Sequence, residues 1–176
     1  MERYQRFLNE KAKEKRGLLG TMFFPRTPVL LLDFSNTKGS KDLNFYKDIL
    51  EGFEAIGLTT LVVLSEKQEK DAKELPQGSH IHYVNTDDQK AAIKAADFAL
   101  VLNGDTVEVL KNGCVPISQM DGDGTIDYNP LHEKGNGFYF KQPTKWEIFK
   151  AIVRALETYQ FPYDWENLIR EILKTK

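Results

Sequence analysis

Val29-Leu30-Leu31-Leu32-Asp33-Phe34 and, one helical stretch later, Thr60-Leu61-Val62-Val63-Leu64-Ser65 are the two segments that decide the fold. Each is a short, nearly unbroken apolar run, the composition of a strand covered on both faces rather than one with a wet side. Between them, Leu43–Ile56 sets Phe45, Ile49, Phe53 and Ile56 at i, i+4, i+8 and i+11, one stripe of an α-helix, and Gly57 supplies the stop. Strand, helix, strand is the βαβ unit, and its repetition builds a parallel sheet.

The same grammar continues outward. Ile81–Asn85, Phe98–Asn103, Val115–Met120 and Gly137–Lys141 read as further strands, which predicts an α/β, Rossmann-like, doubly wound parallel sheet of about six strands with helices on both faces. Helices are expected at Asp87–Ala96 and at Thr106–Asn112, the latter ended by Gly113. A longer one is expected over Thr144–Tyr159, with Thr144 as N-cap, Glu147 completing a capping box, and Trp146, Phe149, Val153 and Leu156 on one stripe. Residues 1–16 form an amphipathic peripheral helix with Tyr4, Phe7, Leu8 and Lys11 on one face, and Pro162 restarts a final helix spanning 162–176. Gly122, Gly124, Pro130, Gly135 and Gly137 gather in one long loop before the sixth strand.

Composition sets the outer limits. The chain has 176 residues, 41% hydrophobic, enough for one core, so a single domain over 1–176 is expected. Lys+Arg number 24 against 26 Asp+Glu, for a net charge of −2, so no field of one sign is available to draw in nucleic acid or an anionic membrane. No stretch reaches the roughly 18 apolar residues of a membrane span, and no apolar run of signal-peptide length opens the chain. The single Cys114 cannot form an internal disulfide and reads as a small buried hydrophobe; a cytoplasmic setting is expected.

Several chemistries are excluded by spacing. No Gly-x-Gly-x-x-Gly follows the first strand, which reads on as Ser35-Asn36-Thr37-Lys38-Gly39-Ser40-Lys41, and that tract lacks the leading glycine and the Lys-Ser/Thr pair of a phosphate-binding P-loop. No organic cofactor is expected. Asp33 alone does not supply the acidic pair of a receiver domain. His80 and His82 are placed at i, i+2 on one strand, a spacing that can hold a metal, but a third ligand is not evident and they read as edge-strand histidines. Asp121-Gly122-Asp123-Gly124 lacks the third acidic position and the terminal Glu of a calcium loop and reads as a turn. No metal is expected.

From Ala95 onward the order and spacing of motifs become specific. Ala96-Asp97-Phe98-Ala99-Leu100-Val101-Leu102, then Asn112-Gly113-Cys114-Val115-Pro116-Ile117, Asp127-Tyr128-Asn129-Pro130 and Gly135-Asn136-Gly137-Phe138-Tyr139-Phe140 are followed by the helix Trp146–Tyr159 and by Trp165 and Ile169. This succession resembles the end of the C-terminal, nucleotide-sugar-binding domain of bacterial glycogen and plant starch synthases, which are two-Rossmann-domain (GT-B) glycosyltransferases. The resemblance implies ADP, UDP or their glucose conjugates as ligands, held at the carboxyl ends of the strands. It implies Asn36, Lys38, Lys41, Asn103, Gly104, Asp105, Thr106 and Gly122 as the candidate binding residues, with Lys38 or Lys41 standing for the family's phosphate-neutralising Lys.

The departures are as informative. The family's Arg in the first loop is replaced by Phe34-Ser35-Asn36, and its Glu-Pro-x-Gly-Leu loop shrinks here to Gly104-Asp105-Thr106, where Asp105 reads as a helix N-cap. The turn after the fifth strand carries Asp121 and Asp123, two acids that repel a diphosphate. No catalytic residue is identified, and the N-terminal domain that forms the other wall of the family's cleft lies outside the chain, which implies no catalysis alone. Three functions follow as alternatives: a degenerate donor-binding domain, a non-enzymatic interaction module, or one subunit of a split glycosyltransferase that works with a separate GT-B N-terminal domain. The tail aromatics Tyr159, Phe161, Tyr163 and Trp165 are expected to pack on the core.

Overall fold

The computed structural model describes residues 2–20, 26–34, 40–66, 68, 75–102, 106–120 and 124–174, with the side chains of 40–46 and 48 outside that description. The chain runs α1 (Glu2–Leu19), β1 (Val29–Asp33), α2 (Ser40–Ala55), β2 (Thr59–Leu64), β3 (Ile81–Asn85), a 3-10 turn (Thr86–Asp88), α3 (Gln89–Ala95), β4 (Phe98–Val101), α4 (Thr106–Lys111), β5 (Val115–Gln119), β6 (Phe138–Phe140), α5 (Lys145–Gln160) and α6 (Pro162–Lys174). The sheet order is β3-β2-β1-β4-β5-β6 and every pairing is parallel. All six expected strands are present, with ends within two residues of those read from the sequence.

The apolar runs are explained by what lies on each side of the sheet. Leu30, Leu32, Val62, Phe98, Leu100, Val115 and Ile117 join one core with α2, α5 and α6, whereas Val29, Leu31, Leu61, Val63 and Ala99 join a second with α3, α4 and Cys114. Alternate residues of one strand thus serve opposite faces, and the few polar strand residues that are buried, Thr59, Thr60 and Ser118, are small. Each buried Leu or Ile contributes about 1.5–3 kcal/mol relative to exposure.

Helix α5 starts as expected but faces differently. Thr144 Oγ1 accepts from Glu147 N at 3.3 Å, while the Thr144 N–H donates to Gln142 O, so the reciprocal half of the capping box does not form. The buried stripe is Ile148, Ala151, Ile152, Ala155 and Leu156, whereas Trp146 is 83% exposed and Val153 also faces solvent. Counting the largest hydrophobe as inward misphased the helix; β-branched and alanine positions are the ones that fit against the sheet. Among the tail aromatics, Trp165 and Tyr159 pack edge-to-face on Phe98, at centroid distances of 5.4 and 5.9 Å, but Phe161 and Tyr163 are exposed.

Helix α1 is a turn longer than expected and is more than peripheral. Lys11 donates to the carbonyls of Lys94 and Ala96, where a cation complements the end of α3, and Lys15 pairs with Asp97 at 2.5 Å. Both lysines and Asp97 are buried, and Asp97 also accepts from Val29 N at 2.8 Å. Further along, Phe7 lies against Gly113, where a Cβ would fall 2.3 Å from the ring, and Tyr4 sits under the Arg170 guanidinium of α6. The helix therefore crosses the amino-terminal ends of β4 and β5.

Candidate functional site

In the observed strand order the chain runs from β1 outward through β2 to β3 on one side, then crosses back through α3 to β4 on the other side of β1. Such a topological switch opens a crevice at the carboxyl ends of the two strands, where ligands of open α/β sheets sit. β1 ends there in Asp33, whose carboxylate accepts from Gln89 Nε2 at the start of α3. Beyond it, Phe34 is buried, donates its N–H to Val63 O and accepts at its carbonyl from Gln68 Nε2 at 3.0 Å. Gln68 Oε1 accepts in turn from Ser65 N and Ser65 Oγ at 2.9 and 2.8 Å. This buried amide ties the ends of β1 and β2 together. Sequence reasoning missed it because Gln68 stands within Glu66-Lys67-Gln68-Glu69-Lys70, a charged run that reads as solvated.

On the other side of the switch, Thr106 is buried at the start of α4 and its Oγ1 lies 3.9 Å from where a Cβ on Gly124 would stand. The first residue of α4 and Gly124, beyond β5, therefore meet. Gly124 has φ +82°, a backbone that favours glycine, and its carbonyl accepts from Asn136 Nδ2 while Asn136 Oδ1 accepts from Ile126 N. Arg154 grips Asp127 through both guanidinium nitrogens, at 3.2 and 2.9 Å, and Asp127 Oδ1 also accepts from Tyr139 N. Gly135 has no room for a side chain: a Cβ would fall 2.5 Å from Tyr128 Cα. The expected irregular loop is thus a built wall, with bridges between Asp127 and Gly137 and between Asn129 and Lys134.

Of the candidate binding residues, Thr106 is the one described in full, and Lys41 lies in the first turn of α2 with its side chain undescribed. Asn36, Lys38, Asn103, Gly104, Asp105 and Gly122 lie outside the described residues. In sequence they fall after β1, β4 and β5. His80 sits in the turn before β3, so the two histidines do not share a strand; burial, then the neighbouring His80, lowers the His82 pKa. Among the described residues no group of three His, Cys, Asp or Glu side chains could hold a metal. Cys114 is fully buried, and burial pushes its thiol up to about 12. No described helix is long and apolar enough to cross a membrane.

The motif residues from Ala95 onward prove to be structural ones. Asp97 anchors α1 and β1, Asp127 holds Arg154, and Gly135 and Asn136 build the wall beside Thr106.

No family model matches the chain. Over 69 residues it is 33% identical to glycogen synthase 1 of Synechocystis sp., covering 37% of this chain and 14% of that protein. Over 67 residues it is 34% identical to glycogen synthase of Fervidobacterium nodosum, covering 36% of this chain and 14% of that protein. In fold it is similar to the catalytic domain of starch synthase IV from Arabidopsis thaliana, solved bound to ADP and acarbose, with a TM-score of 0.73 at 15% identity over 97% of this chain and 39% of that one. A glycosyl transferase family 9 protein from Veillonella parvula superposes with a TM-score of 0.50 at 10% identity, over 94% of this chain and 50% of that one. The chain thus spans well under half of the starch synthase and a seventh of each glycogen synthase in alignment. Along its length the chain shares the fold of that starch synthase domain, and over part of it the sequence is similar to the glycogen synthases.

Proposed function

We propose that this domain binds a nucleotide or nucleotide sugar of the ADP/UDP or ADP-/UDP-glucose kind at the carboxyl ends of β1 and β4, and that it does not transfer sugar by itself. The observation that carries the reading is the meeting of Thr106 with the Gly124 turn beside the topological switch. The starch synthase of similar fold was solved with ADP, which favours a nucleotide over other anions. Against catalysis stand the Arg and Glu that the family resemblance calls for and that the loops after β1 and β4 lack. Asn36, Lys38, Lys41, Asn103, Gly104, Asp105, Thr106 and Gly122 are the residues proposed to line the site, in a single cytoplasmic domain.

Titration of the labelled chain with ADP, UDP and their glucose conjugates, followed by amide chemical shifts, tests this. Shifts at Thr106, Val107 and Gly124 are expected, with no incorporation of labelled glucose into glycogen. The absence of any shift at millimolar nucleotide overturns the binding.

A second reading, the subunit of a split glycosyltransferase, is favoured by one observation. Trp146, 83% exposed in the first turn of α5, follows β6 at the same carboxyl edge as the exposed Met120, whose N–H donates to Phe140 O. Exposed aromatics are enriched where proteins meet. A separately expressed GT-B N-terminal domain should be retained by the chain and lost on Trp146→Ala; retention unaffected by that change sinks this reading.

A further inference from the structure

We infer that α1 controls the carboxyl-edge crevice from the far end of the sheet. By fixing one end of α3 it fixes Gln89 at the other, and Gln89 in turn holds the Asp33 carboxylate at the crevice. That a nucleotide is the ligand affected rests on the function proposed above; the link from α1 to Asp33 does not.

The link is built from three polar ties. Lys11 of α1 donates to the carbonyls of Lys94, in the last turn of α3, and of its C-cap Ala96. Lys15 of the same helix pairs with Asp97, the next residue of the chain. At the opposite end Gln89 opens α3, and its Nε2 donates to Asp33, the last residue of β1. With seven residues α3 is about 10 Å long, one short rod from the amino-terminal edge, where α1 lies, to the edge where the crevice opens.

Burial alone holds this rod loosely. Its buried residues are Ala92, Ile93 and Ala95, followed by Ala96, and Ile93 is the one large apolar side chain among them. A methyl group buries a fraction of the area of a Leu side chain and interlocks little with the strands beneath, so a helix resting on alanines shifts along its axis at small cost. The ties at its ends therefore decide where Gln89 stands. Lys11, Lys15 and Asp97 are all buried, so water does not compete for these ties while α1 is docked.

The consequence at the crevice is electrostatic. Asp33 puts a negative charge at the edge proposed to receive a diphosphate, and the Gln89 amide dipole offsets part of that charge while keeping the carboxylate at the start of α3. Once α3 shifts, Asp33 loses this donor and an anionic ligand meets a more negative rim. Gln89 is thus a positioning residue, set by a helix on the other side of the sheet.

The experiment substitutes both ends of the rod in the full chain, Lys11→Met and Gln89→Ala, singly and together. The readouts are the Gln89 side-chain amide signal, hydrogen exchange of the α3 amides, and ADP affinity. Lys11→Met is expected to move the Gln89 signal, to speed α3 exchange about tenfold and to weaken ADP about fivefold. Gln89→Ala should weaken ADP equally with α1 exchanging as in the parent, and the double variant should be no weaker than either single one. In Asp33→Asn, ADP affinity should no longer respond to Lys11→Met. If circular dichroism shows Lys11→Met unfolded, Lys11→Gln, a neutral donor with a shorter reach, carries the same expectations. A Gln89 signal that ignores the Lys11 variants overturns the link, as do additive losses in the double variant. ADP affinity unchanged while the Gln89 signal moves overturns the control of the crevice. No ADP shift at Thr106 in the parent, with the Gln89 signal still answering to Lys11, removes the nucleotide reading alone.

Discussion

Uncoupling Lys15 from Asp97 is the perturbation with the largest consequence for the fold. Both groups are buried, at 5% and 3% exposure, and the carboxylate also accepts from Val29 N at the first residue of β1. Asp97→Asn keeps an oxygen for Val29 but strips Lys15 of its counter-charge, and Lys15→Met strips Asp97. Leaving one charge of a buried pair uncompensated costs about 3–5 kcal/mol. With a urea slope near 2 kcal/mol per molar, each single change should lower the midpoint by roughly 1.5–2.5 M, read by circular dichroism. In the double variant neither charge remains and Met fills the volume of the lysine stem, so most of that loss should return. The cycle should yield a coupling of about 2 kcal/mol or more. Additive single effects, with a double variant as unstable as their sum, would refute the reasoning that α1 is clamped to the sheet through this pair.

Three other outcomes follow. Gly113→Ala combines φ +71° with a Cβ 2.3 Å from the Phe7 ring, whereas Gly57→Ala at φ +84° opens onto free space; thermal melts should show Gly57→Ala costing about 1 kcal/mol and Gly113→Ala clearly more, and equal costs would remove the steric argument. Burial raises the Cys114 thiol to about 12, against roughly 8.5 in an unfolded chain, so its contribution is complete below about pH 8.5 and is lost as pH rises towards 12. Denaturant stability of Cys114→Ala should therefore fall less steeply between pH 8 and pH 10 than that of the parent; parallel slopes would contradict it. Of the two tryptophans, Trp146 is exposed and Trp165 is 7% exposed, so Trp146→Phe should leave a blue-shifted fluorescence that iodide barely quenches.

The strands were legible because a sheet covered on both faces favours apolar runs, and Val29–Leu32 and Leu61–Leu64 are such runs with little competing helical period. Helix phase was harder to read. In α5, Trp146 and Val153 share a stripe that a count of hydrophobes takes as inward; Leu156 of that stripe is buried, but only the shape of the sheet beneath selects Ile148 and Ile152 in place of the other two. Lys11 and Lys15 were invisible as core residues because a charge reads as solvent-facing unless its partner is known, and that partner is 82 residues away for Lys15. One signal was available: Asp97 is a lone carboxylate at the head of the apolar run that becomes β4, and such a group needs a cation or a cluster of donors. At the candidate site, Thr106 emerged from its place after the fourth strand, where the resemblance puts the ligand. Asn136 and Gly124, which shape the wall beside it, carry their effect through backbone contacts that no spacing rule encodes.

The far-flung partners of α1 bear on the order in which the molecule comes together. A helix can form locally, but Lys11 and Lys15 meet their acceptors across 83 and 82 residues, and closing a loop of that length is slow compared with winding the helix or pairing β1 with β2. Until β4 is seated beside β1 there is no Asp97 at the sheet's lower rim and no α3 terminus to receive either ammonium, so both stay hydrated. The first helix of the chain is in this sense its closing clasp: it engages only a sheet whose centre is already assembled, and a chain in which β4 has not docked leaves it hanging in water.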